Sequence, residues 1–218
     1  MNSFIYSPPT QPYLDIIYQD QQLVVFNKPS GLLTVPGKAL EHKDSLEYRA
    51  RLVWPEIRLV HRLDMATSGI VIMALTADSQ RQLNWQFQLR HTKKHYIAKV
   101  WGRLTANAGT IDLPLICDWP NRPKQKVCYE HGKPSLTHYQ VISQEQDCSR
   151  IRLIPVTGRS HQLRVHMQWL GHPILGDKFY AHQEAFSSVK RLQLHAESLT
   201  ISHPESKNEI QFFCPSPF

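Results

Sequence analysis

The sequence predicts an α+β protein built on a central mixed, largely antiparallel β-sheet flanked by helices and loops. Short apolar or alternating runs with strand character recur along the chain and outnumber the helical patterns. The helical patterns are few and short, so they cannot supply the crossovers of an all-parallel sheet. The 218 residues are 41% hydrophobic and 10% aromatic, which suffices for a packed core and excludes a disordered chain. There is no internal repeat, low-complexity tract or linker. The simplest organisation is an irregular arm over residues 1–15 and one domain over 16–218.

The arm is rich in Pro and polar residues. Leu23-Val24-Val25-Phe26 reads as a strand stopped by Pro29-Ser30-Gly31. Ser45 to Val53 reads as a short helix ended by Pro55. Ile70 to Leu75 is a continuous apolar run, the pattern of a strand buried on both faces. Asp78 is placed to cap a helix reaching Arg90, with Leu83 and Phe87 one turn apart. Residues 94–101 alternate as a strand. Residues 114–134 hold Pro114, Pro120, Pro123 and Pro134 and read as a long loop. Residues 137–143 and 150–156 read as a hairpin. Ser160 is placed to cap a helix from His161 to Leu170, striped by Leu163, Met167 and Leu170 and ended by Gly171 and Pro173. Two last strands fall near 192–202 and 209–213.

Charge narrows the partners. Lys and Arg total 25 against 18 acidic residues, a net charge of +7, which suits a polyanion. The segment 114–134 can be a solvated surface loop, but it adds Trp119 and Tyr129 to Arg122, Lys124 and Lys126, and rings interleaved with cations are what unpaired RNA requires. The four cysteines include no Cys-x-x-Cys pair, so neither a zinc knuckle nor a redox motif is expected. His161 and His166 are five apart, and His91 and His95 straddle a helix-to-strand change, so no metal site is expected. No apolar run approaches the ~20 residues of a membrane span, and the N-terminus lacks the pattern of a signal peptide. A cytoplasmic chain with reduced cysteines follows.

One segment carries chemistry. His61-Arg62-Leu63-Asp64, followed by Thr67-Ser68-Gly69, sets a carboxylate on a turn at the mouth of the buried strand 70–75. A reactive loop on a rigid scaffold is the usual way to present a catalytic side chain. An Asp in a turn can equally be a cap, but further segments agree with the first. These are Asn27-Lys28-Pro29-Ser30-Gly31-Leu32, the strand Lys94 to Gly102 with Tyr96, Thr157 to His166 with Arg164, Gly171 to Asp177, and Leu192-Gln193-Leu194-His195-Ala196.

Together these segments resemble, in order, the motifs of the RluA family of pseudouridine synthases, from about residue 20 to the C-terminus. The resemblance implies the pseudouridine synthase fold and the isomerisation of RNA uridines to pseudouridine. It makes Asp64 the nucleophile, Arg164 its cationic partner, and Tyr96 the ring packed on the target base. Arg62 fills the place of the flipped base or grips the flanking phosphate, with a plain ion pair as the alternative. Leu194 walls the uracil pocket, although a strand leucine can equally be ordinary core. A carboxylate can form a covalent intermediate and then leave, and a guanidinium fork suits it. Nothing is oxidised or reduced, so no cofactor is expected.

The early position of Asn27-Lys28-Pro29 implies no separate N-terminal RNA-binding domain. Residues 117–129 resemble most the branch of the family acting on both tRNA and large-subunit rRNA. The expected substrates are therefore a uridine of the tRNA anticodon loop and one of a 23S rRNA hairpin loop, handled by a monomer. Ala181 departs from the glycine common in relatives. Two other classes compete: a non-catalytic RNA-binding protein, against which Asp64, Tyr96 and Arg164 argue, and a nucleoside hydrolase, which would want a second catalytic carboxylate.

Overall fold

The computed structural model describes residues 5–218. Its strands and helices, in chain order, are β1 (Ile16–Gln19), β2 (Leu23–Lys28), α1 (Leu46–Arg51), β3 (Arg58–Leu59), β4 (Ser68–Ala74), α2 (Ala77–Gln88), β5 (Lys93–Trp101), β6 (Ala108–Asp112), β7 (Leu115–Cys117), β8 (Gln125–Val127), β9 (Leu136–Gln144), β10 (Cys148–Pro155), α3 (Gln162–Trp169), α4 (Gln183–Ser187), β11 (Leu194–Ser202) and β12 (Glu209–Phe213). The expected α+β class holds, and every ladder whose register is described is antiparallel. The chain forms two compact units. One runs to Thr92 and takes in Ser198–Pro215; the other is Lys93–Glu197 with Ser216–Phe218. No helix of the described residues is long and apolar enough to cross a membrane.

In the first unit the strand order is β1-β2-β4-β11, with β3 beside β4 and β12 beside β11. β2 and β4 pair from Leu23↔Ala74 to Lys28↔Gly69. All seven residues of β4 are buried, as its unbroken apolar run requires. Leu23, Val25, Ile70 and Ile72 meet Leu83 of α2 together with Leu199, Ile201 and Phe212. Phe26 lies edge-on to Trp54 at 6.0 Å. Of the expected arm, residues 1–4 lie outside the described residues, and residues 5–15 carry no helix or strand. The Tyr6 hydroxyl nevertheless donates to the Asp44 carbonyl and accepts from the Leu33 N–H.

Helix α2 corrects one expectation. Its cap is Thr76, on extended backbone, whose hydroxyl accepts from the Ser79 N–H at 3.1 Å. Asp78 lies instead in the first turn, where its charge opposes the exposed N–H groups. The helix stops at Gln88 because Arg90 turns left-handed, φ +63°.

In the second unit the order is β11-β5-β10-β9-β6. β5 pairs β10 from Trp101↔Cys148 to Tyr96↔Leu153, and β9 and β10 form the expected hairpin. The segment expected as a loop contains a small antiparallel hairpin, β7 against β8, with registers Leu115↔Val127 and Cys117↔Gln125. Its prolines fall outside the paired residues, so they break no ladder. Ser160 does not cap α3. His161 holds that position at φ +55° with no side-chain cap bond, and the Gln162 amide takes over the local bonding. Its Oε1 accepts from the Thr157 hydroxyl at 2.7 Å and the Arg159 N–H at 3.0 Å.

Candidate active site

In the first unit, Asp64 stands half-buried on the loop between β3 and β4. A turn closes behind it, the Thr67 N–H donating to the Asp64 carbonyl at 3.1 Å. The loop is fastened by its main chain. The Thr34 hydroxyl donates to the Leu63 carbonyl at 2.7 Å and accepts from the Leu63 N–H at 3.2 Å. Lys28, fully buried, donates to the carbonyls of Leu32 (2.7 Å), Pro29 (2.9 Å) and Met65 (3.1 Å). The Ser30 hydroxyl donates to Ala66 at 2.7 Å, and the Gly31 N–H to Met65 at 2.8 Å. Gly31 sits at φ +91°, a conformation glycine adopts without strain. The Asn27-to-Leu32 segment is thus the mount of the Asp64 loop, which explains the pairing of the two motifs. His61 is fixed too: its Nε2 accepts from the Ile72 N–H at 3.0 Å, and its ring stacks on Phe87 at 4.7 Å. Arg62 is exposed and makes no ion pair or hydrogen bond among the described residues.

In the second unit, Arg164 lies in the first turn of α3, 4% exposed. Its Nε and Nη2 each donate to an Asp177 oxygen at 2.7 Å. A charged, hydrogen-bonded fork of this kind is among the strongest side-chain contacts. Asp177 is itself held by the N–H groups of Phe179 at 2.9 Å and Tyr180 at 3.3 Å. The rings of Phe179 and Tyr180 lie 5.3 and 5.2 Å from the guanidinium. The turn before Asp177 needs Gly176: at φ +74°, a Cβ would lie 2.2 Å from the Arg191 carbonyl oxygen. Burial pushes the His166 imidazole below its ordinary titration range. Its Nδ1 bonds the Thr137 hydroxyl at 2.9 Å and its Nε2 meets the Leu113 carbonyl at 3.3 Å.

Tyr96, half-buried, lies in β5 opposite Leu153. Leu194, 2% exposed, begins β11, the strand beside β5. His95 is depressed first by burial and then by the Arg152 cation, with Glu197 opposing. Arg122, Lys124 and Lys126 come together on the β7–β8 hairpin. The Arg122 guanidinium lies 4.5 Å from the Trp119 ring. Trp119 is 67% and Tyr129 73% exposed, so the Tyr129 ring and the face of Trp119 away from Arg122 are open to stacking. Lys126 is partly engaged by Asp118 at 3.5 Å.

Thr34 and Tyr180, which have structural roles here, escaped the sequence reading, and Lys28 and Asp177 entered it only as members of motifs, without a role. The signal for Asp177 was a buried arginine, which requires an anion. That for Lys28 was a lysine at the end of an apolar strand.

A half-buried carboxylate on a loop fastened through its main chain, with exposed cations and rings on the β7–β8 hairpin, suits the class of enzymes that act on RNA. Comparison with known proteins gives the family. The RNA pseudouridylate synthase family model matches residues 22–169. The dual-specificity RNA pseudouridine synthase RluA of Salmonella typhimurium is 57% identical over 214 residues, 98% of each chain. That of Yersinia pestis is 59% identical over 204 residues, 93% of this chain and 99% of the relative. Human RNA pseudouridylate synthase domain containing 1 superposes with a TM-score of 0.80 at 28% identity, over 97% of this chain and 87% of that one. The chain belongs to the RNA pseudouridylate synthase family and is an isomerase of RNA uridines.

Proposed function

We propose that this pseudouridine synthase modifies one uridine in the tRNA anticodon loop and one in a 23S rRNA hairpin loop, as a cytoplasmic monomer. The observation that supports the dual specificity is the 57% identity, over 98% of both lengths, to a dual-specificity synthase. Residues 16–218 act as one catalytic domain. The C1′–N1 bond breaks, the uracil turns, a C1′–C5 bond forms, and the hydrogen on C5 leaves to water.

Asp64 is the nucleophile. Its mount keeps the carboxylate from drifting as the nucleoside changes geometry, and a misplacement of about 1 Å can cost a hundredfold. Arg164 is the cation that stabilises the ionised form, with its fork already oriented by Asp177. Tyr96 packs on the base and assists proton transfer. Arg62 is open to solvent, as suits a side chain that enters the RNA stack. It offsets part of the few kcal/mol that flipping costs. Leu194 walls the uracil. Arg122, Lys124 and Lys126 meet phosphate, with Trp119 and Tyr129 stacking on unpaired bases.

The test uses a tRNA and an rRNA hairpin carrying tritium at uridine C5. Release to water from both, abolished by Asp64→Asn with RNA affinity retained, is the expected result. Release from one RNA alone removes the dual specificity. Release surviving Asp64→Asn removes the nucleophile assignment, and free uracil as product means hydrolysis.

A further inference from the structure

We infer that Tyr180 is a positioning residue tying the RNA-gripping hairpin to Arg164, so that phosphate held at Lys124 is felt at the reacting centre. The inference rests on the roles proposed above for Arg164 and the hairpin. Tyr180 is 6% exposed and touches three parts of the second unit. Its hydroxyl accepts from the Gln125 N–H at 2.8 Å, the residue directly after Lys124 and the first of β8. The same oxygen is 2.7 Å from His161 Nδ1, on the left-handed residue that opens α3. Its ring lies 5.2 Å from the Arg164 guanidinium.

A hydroxyl has one proton and can accept besides. Donation to His161 Nδ1 together with acceptance from Gln125 satisfies all three groups. The hydrophobic side agrees, since Tyr180 packs in one cluster with Leu115 of β7 and Val165 of α3, and Val127 of β8 leans on it. Hairpin, α3 entry and Arg164 therefore meet on a single side chain. His161, at φ +55°, occupies backbone space that non-glycine residues rarely use, so its place depends on the contacts that hold it.

Tyr180→Phe keeps the ring over Arg164 and deletes both hydroxyl bonds. Single-turnover tritium release at saturating RNA removes binding from the readout. Lys124→Ala should slow that rate about three- to tenfold in the parent, and should slow Tyr180→Phe no further, because coupled sites are non-additive. Effects that multiply show independent sites and overturn the inference. Should Tyr180→Phe not fold, Gln125→Pro removes the same bond from the hairpin side, at a strand's first residue, where proline is tolerated; the same cycle then decides. A parent-like rate in Arg164→Lys would instead defeat the assigned role of Arg164. Multiplying effects with Arg164→Lys inactive defeat the coupling alone.

Discussion

Asp177→Asn removes the charge beside a buried guanidinium while nearly preserving shape. The parent carboxylate takes two arginine N–H groups at 2.7 Å and two main-chain N–H groups at 2.9 and 3.3 Å. Both main-chain bonds and the Arg164 Nη2 bond converge on Oδ1, so an asparagine must keep its oxygen there. Its NH₂ then faces the Arg164 Nε–H, donor against donor. The side chains are 4% and 0% exposed, so water cannot compensate. Breaking a buried pair from one side costs about 3–5 kcal/mol. For a chain of this length each kcal/mol shifts Tm by about 2–4 °C, giving an expected fall of about 6–20 °C by circular dichroism. A Tm within about 2 °C of the parent would refute the view that Asp177 sustains the buried charge.

Thr34→Val leaves the Leu63 N–H and carbonyl without the hydroxyl that serves both. It should cost about 1–3 kcal/mol in urea denaturation and lower the single-turnover rate with little change in RNA affinity; an unchanged rate would mean that the loop keeps its place without Thr34. The lowered pKa of His166 makes stability depend on acid. Above the ordinary value of 6.5 both states are neutral, but below it the unfolded chain takes up a proton that the folded chain resists. Stability therefore falls with pH by up to about 1.4 kcal/mol per unit for this group, and His95 acts in the same direction. Urea midpoints at about pH 7.5 and about pH 5.5 should differ less in His166→Asn than in the parent, and an equal difference would exclude His166 as the source. Lys124→Ala should lower the salt slope of binding to single-stranded RNA by about 0.7. Lys126→Ala should lower it less, because Asp118 already draws on that charge; equal slopes for parent and Lys124→Ala would place the hairpin off the phosphates.

Periodicity located β2, β4, β5, β9, β10, β11 and β12, because burial on one face or both leaves a trace in the order of apolar residues, and it missed the short strands β1, β3 and β6. The run Ile70 to Leu75 could hardly be anything but a central strand. Helix caps were harder. Thr76 and Asp78 are both good capping residues, and only the backbone angles decide between them. His161 carries no caps signal, since Gln162 does the local bonding from inside the helix. The β7–β8 hairpin was hidden by prolines that fall just outside the paired residues. The placement of Asp64 on the loop before β4 and of Arg164 in the first turn of α3 was legible in the sequence. Their supports were not, because Lys28 and Thr34 reach the Asp64 loop across 29 to 37 residues, and Asp177 meets Arg164 across 13. Pairings of that kind are made by folding and leave no local pattern.

The mount of the Asp64 loop separates holder from tool. The bonds described above from Lys28, Ser30, Gly31 and Thr34 to the loop end on main-chain atoms of Leu63, Met65 or Ala66. The side chain at position 64 takes no part in those bonds. The main-chain bonds would therefore remain available to the loop if a thiol, a hydroxyl or a longer carboxylate stood at position 64. Changes at Lys28 or Thr34, far away in sequence, would move whatever side chain stood there.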